Sequence, residues 1–485
     1  MQRTSAGGVT LLTTPAPGPL TARLTFGCGA RDETAPTMGV TRVIEALVRA
    51  EIGTPLHEFT TTVGTAETHF TATGTPPAVA RFLHTVCRTL SDLPLHRTAH
   101  ATRLLGMDGT RIPEHRAVEP LSARFGPHAA GLVLHHDNTM YESITPDMVR
   151  AHAATFFTRG NAVLALDGPT PDALALPLPD APKPQRTTPR ARTGASWQHR
   201  PVPTVSLLLT SGASSAAADA AHTILRRRVE RSARDLQAVG NDVTAHRVPR
   251  DRLTLDRIIV LDVLEGRAEQ AAESLWYEAR HLATEGATET ELHAFTTHAR
   301  AAQDFTDSHW RTLERAVTAE LFGTPFLDDR TLLETLKAVT PQDVRHAAQQ
   351  ALTDAVIVVP PQAFLRLRTP QGAALPPSDC WRTHGPATSG TVFPMPRLSR
   401  ARTPRNERGE WVMTPWGLVC RDSTEDEHDI RFDQVALMVR DGDDRTVLTG
   451  CGCYLHVHPR YFKRGNRLTA ALDAAVPAHL VRDAP

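Results

Sequence analysis

The chain has 485 residues, and its 53 Lys+Arg balance 53 Asp+Glu, so no global field draws it to nucleic acid or to an anionic membrane. At 41% hydrophobic and 22% charged it is a folding chain rather than a disordered one, and with 5% aromatics its cores must be built from Ala, Leu and Val. No uninterrupted apolar run of ~18 residues occurs, which excludes a transmembrane helix, and the length allows two to four domains of ~150 residues.

In chain order, strands are expected at Val9–Thr14 and Ala22–Cys28, followed by a glycine turn and a helix over Met38–Arg49. Strand-like sequence runs through 60–73, and helices follow at Pro77–Leu90, Ala99–Thr110 and Pro146–Phe157. Residues 173–198 are rich in Pro and basic residues without period, and read as a linker. A second unit, 199–367, opens with a strand at Thr204–Thr210, Gly212 and a helix over Ala217–Arg234. Another Pro-rich linker, 368–408, precedes a third block at 409–485. There, strands are expected at Glu410–Val419, Ile430–Val439, Thr446–Leu448 and Tyr454–His458, with a terminal helix at Arg464–Ala475.

The first two units read as copies. Thr145, Pro146, Val149 and Arg150 correspond to Thr340, Pro341, Val344 and Arg345 at a constant offset of 195 residues. Both sets open a helix with Pro at its first position, and both helices lead into an apolar strand. The fold class is therefore α+β: two tandem homologous units (1–172 and 199–367), each a sheet covered on one side by helices, plus a small β-rich C-terminal domain with one helix. The N-terminus lacks an apolar stretch of signal-peptide length, and six scattered cysteines make no disulfide framework. A cytoplasmic protein with reduced thiols is expected.

On the first helix lies Gly39-Val-Thr-Arg-Val-Ile-Glu-Ala46. With Thr65–Ala72, Arg124-Phe-Gly-Pro-His128 and the Ile144–Gly168 segment in the same order, this resembles the insulinase (pitrilysin, inverzincin) zinc peptidase family over about residues 8–367. That family carries His-x-x-Glu-His here, two zinc ligands flanking a water-polarising glutamate. Aligned on Glu45, this chain has Arg42 and Ala46 at the histidine places, and Asp108 falls closest to the third ligand. A guanidinium stays protonated and a methyl has no lone pair, so the resemblance implies no metal at this site and no cofactor in this chain. Glu45 is then expected to pair with Arg42 on the same helix face.

The family also carries an arginine and, seven residues on, a tyrosine that reach the zinc from the opposite side. Arg234 and Asn241 occupy that spacing here. The resemblance further implies that Phe59, Thr60, Thr61, Thr62 and Val63 form a strand edge to which extended peptide adds. It points to a non-catalytic subunit of a heterodimeric peptidase acting on short or unfolded peptides, leader peptides among them. The partner would be a homologous subunit with an intact His-x-x-Glu-His motif, holding the zinc and receiving Arg234 in trans. A pseudo-peptidase scaffold without peptidase role is the alternative; an active metallopeptidase with other ligands is a third reading. Apart from these, Cys451, Cys453, His456 and His458 make a metal-ligand inventory, although strand alternation would split the thiols from the imidazoles.

Overall fold

A computed structural model describes all residues except 54–57, 109–114, 136–140, 187–190, 304, 306–307, 384–388, 397–400, 402–408, 422–425 and 485. The first sheet joins β1 (Gln2–Ala6), β2 (Val9–Thr13), β3 (Leu20–Phe26), β4 (Glu58–Val63), β5 (Thr68–Gly74) and β6 (Ala162–Leu166) in the order β1-β2-β6-β3-β5-β4. The second joins β7 (Ser196–His199), β8 (Thr204–Gly212), β9 (Gly240–Pro249), β10 (Thr254–Val263) and β11 (Val356–Val359) in the order β7-β11-β8-β10-β9. Apart from β1, the two sheets superpose in connectivity. β2 and β7 each run parallel to the last strand of their unit, and every other pair is antiparallel. The duplication read from sequence is thus present in the topology.

Helices in the first unit are α1 (Val40–Ile52), α2 (Pro76–Ser91), α3 (Thr98–Asp108), α4 (Val118–Phe125) and α5 (Pro146–Phe156). The second unit has α6 (Ala216–Glu230), α7 (Ala268–Glu285), α8 (Glu289–Ala301), α9 (Ser308–Phe322), α10 (Asp329–Lys337) and α11 (Pro341–Leu352). The repeated Thr-Pro segment starts α5 and α11. The Thr145 and Thr340 hydroxyls accept from Met148 N (3.3 Å) and Asp343 N (3.2 Å), and Val149 and Val344 are fully buried.

Helices cover both faces of each sheet, not one face as expected. Leu24, Phe26, Phe70 and Leu164 point into α1, α2 and α5, whereas the alternate residues Leu12, Val163 and Ala165 meet Leu313, Val317 and Phe322 of α9, from the other unit. Reciprocally, Val205, Leu207, Ile259 and Ile357 pack on helices of their own unit, and Leu208, Ile258, Val260 and Val356 on Leu121 and Phe125 of α4. Strand periodicity of two gives each sheet two apolar faces, and the second face of each is closed by a helix of the other unit. Arg124 on α4 is buried and donates to the carbonyls of Arg192 (2.9 Å) and Asp354, so the exchange also satisfies polar groups.

The C-terminal region forms two sheets. β12 (Trp381–Thr383), β13 (Thr391–Pro394), β14 (Glu410–Met413), β15 (Gly417–Arg421) and β16 (Asp426–Arg431) take the order β12-β16-β15-β14-β13. β17 (Leu437–Asp441), β18 (Asp444–Leu448), β19 (Tyr454–Val457) and β20 (Val481–Asp483) take the order β19-β18-β17-β20. The helix α12 (Gly465–Ala475) packs Leu468 and Leu472 between them against Leu418, Ile430 and Met438. Two expected strands are each broken in two: at Thr414 a turn returns β14 into β15 as a hairpin, and at Phe432 the chain leaves β16 of the five-stranded sheet for β17 of the four-stranded one. Strand residues also occur within both stretches expected as linkers: β7 begins at Ser196, and β12 and β13 lie before residue 409. Short β-segments flanked by Pro carry too little periodicity to be seen locally. Met38 and Leu132 of the first unit pack on Leu437 and Leu448, so the C-terminal region sits against the entrance to α1.

Candidate functional site

α1 begins where Gly39, at φ 89°, turns the chain against the Tyr141 ring; a Cβ there would lie 2.6 Å from that ring. The buried Glu33 carboxylate accepts from Gly39 N (2.7 Å) and Thr41 N (2.9 Å), capping the helix by charge and hydrogen bond together. This sets the face that carries Arg42, Glu45 and Ala46. Glu45 and Ala46 are buried and Arg42 half-buried. Glu45 accepts a hydrogen bond from the Thr61 hydroxyl of β4, and its ion pair is with Arg49, 3.5 Å away and one turn later, where the sequence suggested Arg42. Arg42 precedes Glu45 by three residues and Arg49 follows it by four, so both lie on neighbouring turns of one face, and the ion pair forms with the later one. Asp108 ends α3, and its side chain lies outside the described residues.

β4 stands at the end of the first sheet's order and, among the described residues, pairs only with β5. Phe59, Thr61 and Val63 face α1 and α2, with Phe59 tilted on Phe82 at 5.9 Å; Thr60 and Thr62 take the other face. The strand thus offers a free backbone edge beside Glu45.

The second expected pair lies at the corresponding edge of the second sheet. α6 runs into a π-helical turn over Arg231–Leu236 that contains Arg234, whose side chain lies outside the described residues. After Ala238, at φ 50°, the chain enters the edge strand β9. Register there shifts, Asp262 facing Asp242 and Val263 facing Gly240, so exposed Asn241 is the extra residue of a bulge. Arg116 of the first unit closes on both carboxylates flanking this bulge, Asp262 at 2.8 Å and Asp242 at 3.2 Å.

Two further features were not singled out from sequence. A cleft of ≈ 730 Å³ between the units is lined by Glu67 and His69 from one and Asp219, Arg247, Arg315 and Asp329 from the other; Arg42, Glu45, Ala46, Phe59–Val63 and Asn241 do not line it. Its charges from the second unit are largely paired within that unit, Arg247 with Asp219, which also takes Arg257 behind the wall, and Arg315 with Asp329. Burial, then the Arg23 charge, lowers His69 to about 4, so its ring is neutral at neutral pH. The second is the contact of Cys28 Sγ with His152 Nε2 at 3.3 Å, with Thr41 Oγ1 3.0 Å from the same nitrogen. Burial raises the thiol and lowers the imidazole, which keeps both neutral; this is a core polar pair, not an activated nucleophile.

Cys451 and Cys453 fall in the turn between β18 and β19, and their sulfurs face Cys380 and His428. His456 and His458 take other partners, Thr446 Oγ1 at 3.1 Å and Asp444 at 2.6 Å. The ligand inventory expected from sequence is therefore half replaced.

Among the described residues no helix is long and apolar enough to cross a membrane. No family model matches the chain, and no curated protein matches it. Solved structures do. An inactive domain of peptidase M16 from Pseudomonas fluorescens has a TM-score of 0.61 at 17% identity, covering 75% of this chain and 98% of that one. An M16-like peptidase from Alicyclobacillus acidocaldarius has a TM-score of 0.57 at 15% identity (74% and 98% covered), and a chain of complex III2 from Candida albicans 0.57 at 15% (74% and 95%). The doubled sheet order, the exchanged covering helices and these likenesses agree: this chain has the α/β fold of the M16, insulinase-like peptidase domains.

Proposed function

We infer that the chain is the non-catalytic subunit of a heterodimeric M16-type peptidase acting on short or unfolded peptides, such as leader peptides, in the cytoplasm. The observation that carries this reading is the α1 face. Arginine and alanine stand one turn apart where two imidazoles would grip zinc, and the remaining Glu45 is held by Thr61 and Arg49 rather than free to polarise water. The partner, a homologous chain with both histidines, holds the catalytic zinc. This chain contributes Arg234, with Asn241 at the bulge beside it, as donors toward the oxyanion formed in the partner's site. The β4 edge, Phe59 to Val63, takes extended peptide as an added strand. A π-turn followed by a bulge favours the Arg234–Asn241 assignment, because both devices re-aim side chains and recur at functional sites.

A second reading, a scaffold without peptidase role, is favoured by the C-terminal region seated against Met38 at the entrance to α1. Co-expression with a homologous chain bearing His-x-x-Glu-His separates the two. The subunit reading expects a stable pair in which cleavage of an unfolded peptide needs both chains. It also expects Arg234→Ala to slow turnover roughly 10²-fold without dissociating the pair. Equal cleavage by the partner alone would leave the scaffold reading standing.

A further inference from the structure

We propose that the C-terminal region binds one structural zinc ion through Cys380, His428, Cys451 and Cys453. One donor atom from each residue, three Sγ and one imidazole nitrogen, lies within 4.8 Å of all the others. Cys380 and Cys453 sulfurs are 3.3 Å apart, and Cys451 Sγ is 3.2 Å from His428 Nε2. Tetrahedral zinc with bonds of about 2.0–2.3 Å holds its ligand atoms about 3.3–3.8 Å apart, so this spacing needs only small side-chain adjustments to close on an ion. Three soft sulfurs and an imidazole suit zinc over magnesium or calcium, which prefer oxygen. Four protein ligands leave no position for a water, so the ion is structural and separate from the catalytic zinc assigned to the partner.

The backbone is shaped for the site. β18 ends at Leu448 and β19 starts at Tyr454, and between them Thr449-Gly-Cys-Gly-Cys453 folds into a tight turn. Thr449 N donates to Cys453 O (3.0 Å), Gly452 N to Thr449 O (2.9 Å), and Gly452 sits at φ 90°. The turn, rather than a continuation of β19, points both thiols at Cys380 and His428 and leaves His456 and His458 on the strand beyond it. The Thr449 hydroxyl donates to Cys453 O (3.0 Å) and lies 3.0 Å from Cys451 Sγ, which braces the turn beside both sulfurs. His428 comes from the middle of β16, opposite Trp381 and Cys420, and Cys380 immediately precedes β12. The four ligands thus come from three segments in two different sheets. The ion would fasten the β18–β19 turn of the four-stranded sheet to the β12–β16 edge of the five-stranded one. The same edge continues into the second unit: Ser378 N donates to Trp197 O (2.7 Å), and Asp379 takes the ring of His199 (2.9 Å).

A disulfide does not account for the arrangement. All six cysteines are free, and a Cys380–Cys453 bond would leave Cys451 and His428 in contact without purpose. On binding, three thiols release their protons and the ion takes three sulfur lone pairs and one nitrogen lone pair, with no change of oxidation state.

The test is metal content of the full-length chain, expressed alone with zinc in the medium and purified under reductant without chelator. About one zinc per chain is expected, with less than a tenth of that in His428→Phe and near-full content in His428→Cys, which restores a fourth sulfur. Cobalt(II) in place of zinc should give tetrahedral d–d absorption and a thiolate charge-transfer band, both lost in Cys451→Ser. Zinc that persists undiminished in His428→Phe would place the ion elsewhere and overturn the assignment. So would wild-type protein that neither carries nor takes up zinc, or an intact mass two hydrogens light from a Cys380–Cys453 disulfide under reductant. None of these outcomes bears on whether the chain partners a peptidase.

Discussion

At the residue scale, the second unit's clearest polar device is the start of α8. Thr288 caps it, and Glu291 returns to the Thr288 N–H at 2.8 Å while taking both Nε and Nη2 of Arg228 at 2.7 Å. Burial pushes the Glu291 carboxyl up, but the Arg228 fork and the Thr288 N–H outweigh it and hold it down at about 2. A carboxylate lowered in the folded state stabilises above its unfolded value of 4.5, and that contribution is lost as pH falls toward 2. Glu291→Gln should therefore lower the urea midpoint at pH 7, and the gap to wild type should narrow as pH falls below about 4.5. A gap independent of pH would assign the effect to packing. The Thr288–Glu291 spacing is that of a capping box, a local pattern, whereas Arg228 lies 63 positions earlier than Glu291 and no local spacing links the two.

At the scale of elements, β4 decides what the first unit can offer a peptide. In an antiparallel pair, neighbouring residues alternate between bonding to the partner strand and pointing their N–H outward, so of Thr60 and Thr61 one supplies the ladder with β5 and the other faces the open edge. Proline at the ladder position should lower the melting temperature. At the outward position it should leave melting unchanged yet weaken peptide capture by the assembled pair roughly tenfold, read as KM rather than kcat. If both variants cleave peptide with unaltered KM, the edge is not where substrate adds. α1 teaches a complementary lesson. Its residues Arg42, Glu45 and Ala46 could be placed on one face from spacing alone, yet spacing offered Glu45 both Arg42 and Arg49, and only the structure shows it paired with Arg49 and held by Thr61.

For the whole molecule, the exchange of α4 and α9 makes each unit complete only with the other. Leu313 is fully buried against the first sheet although it belongs to the second unit. Leu313→Ala should cost about 2–5 kcal/mol and, in hydrogen exchange read by mass spectrometry, speed exchange in β2 and β6 as well as in α9. Changes confined to α9 would mean that the units open independently. Sequence alone determined the duplicated helix starts, the strand-rich C-terminal region and the arginine and alanine on α1. Those rest on local chemistry: a proline at a helix start, the period of a strand, a side chain's lack of a lone pair. Only the tertiary structure decided that helices cover both sheet faces and that β9 is an edge. It also decided that Cys451 and Cys453 face Cys380 and His428 instead of the neighbouring histidines. Each of these joins residues distant along the chain, and no local spacing encodes which apolar face or which ligand will be brought to meet another.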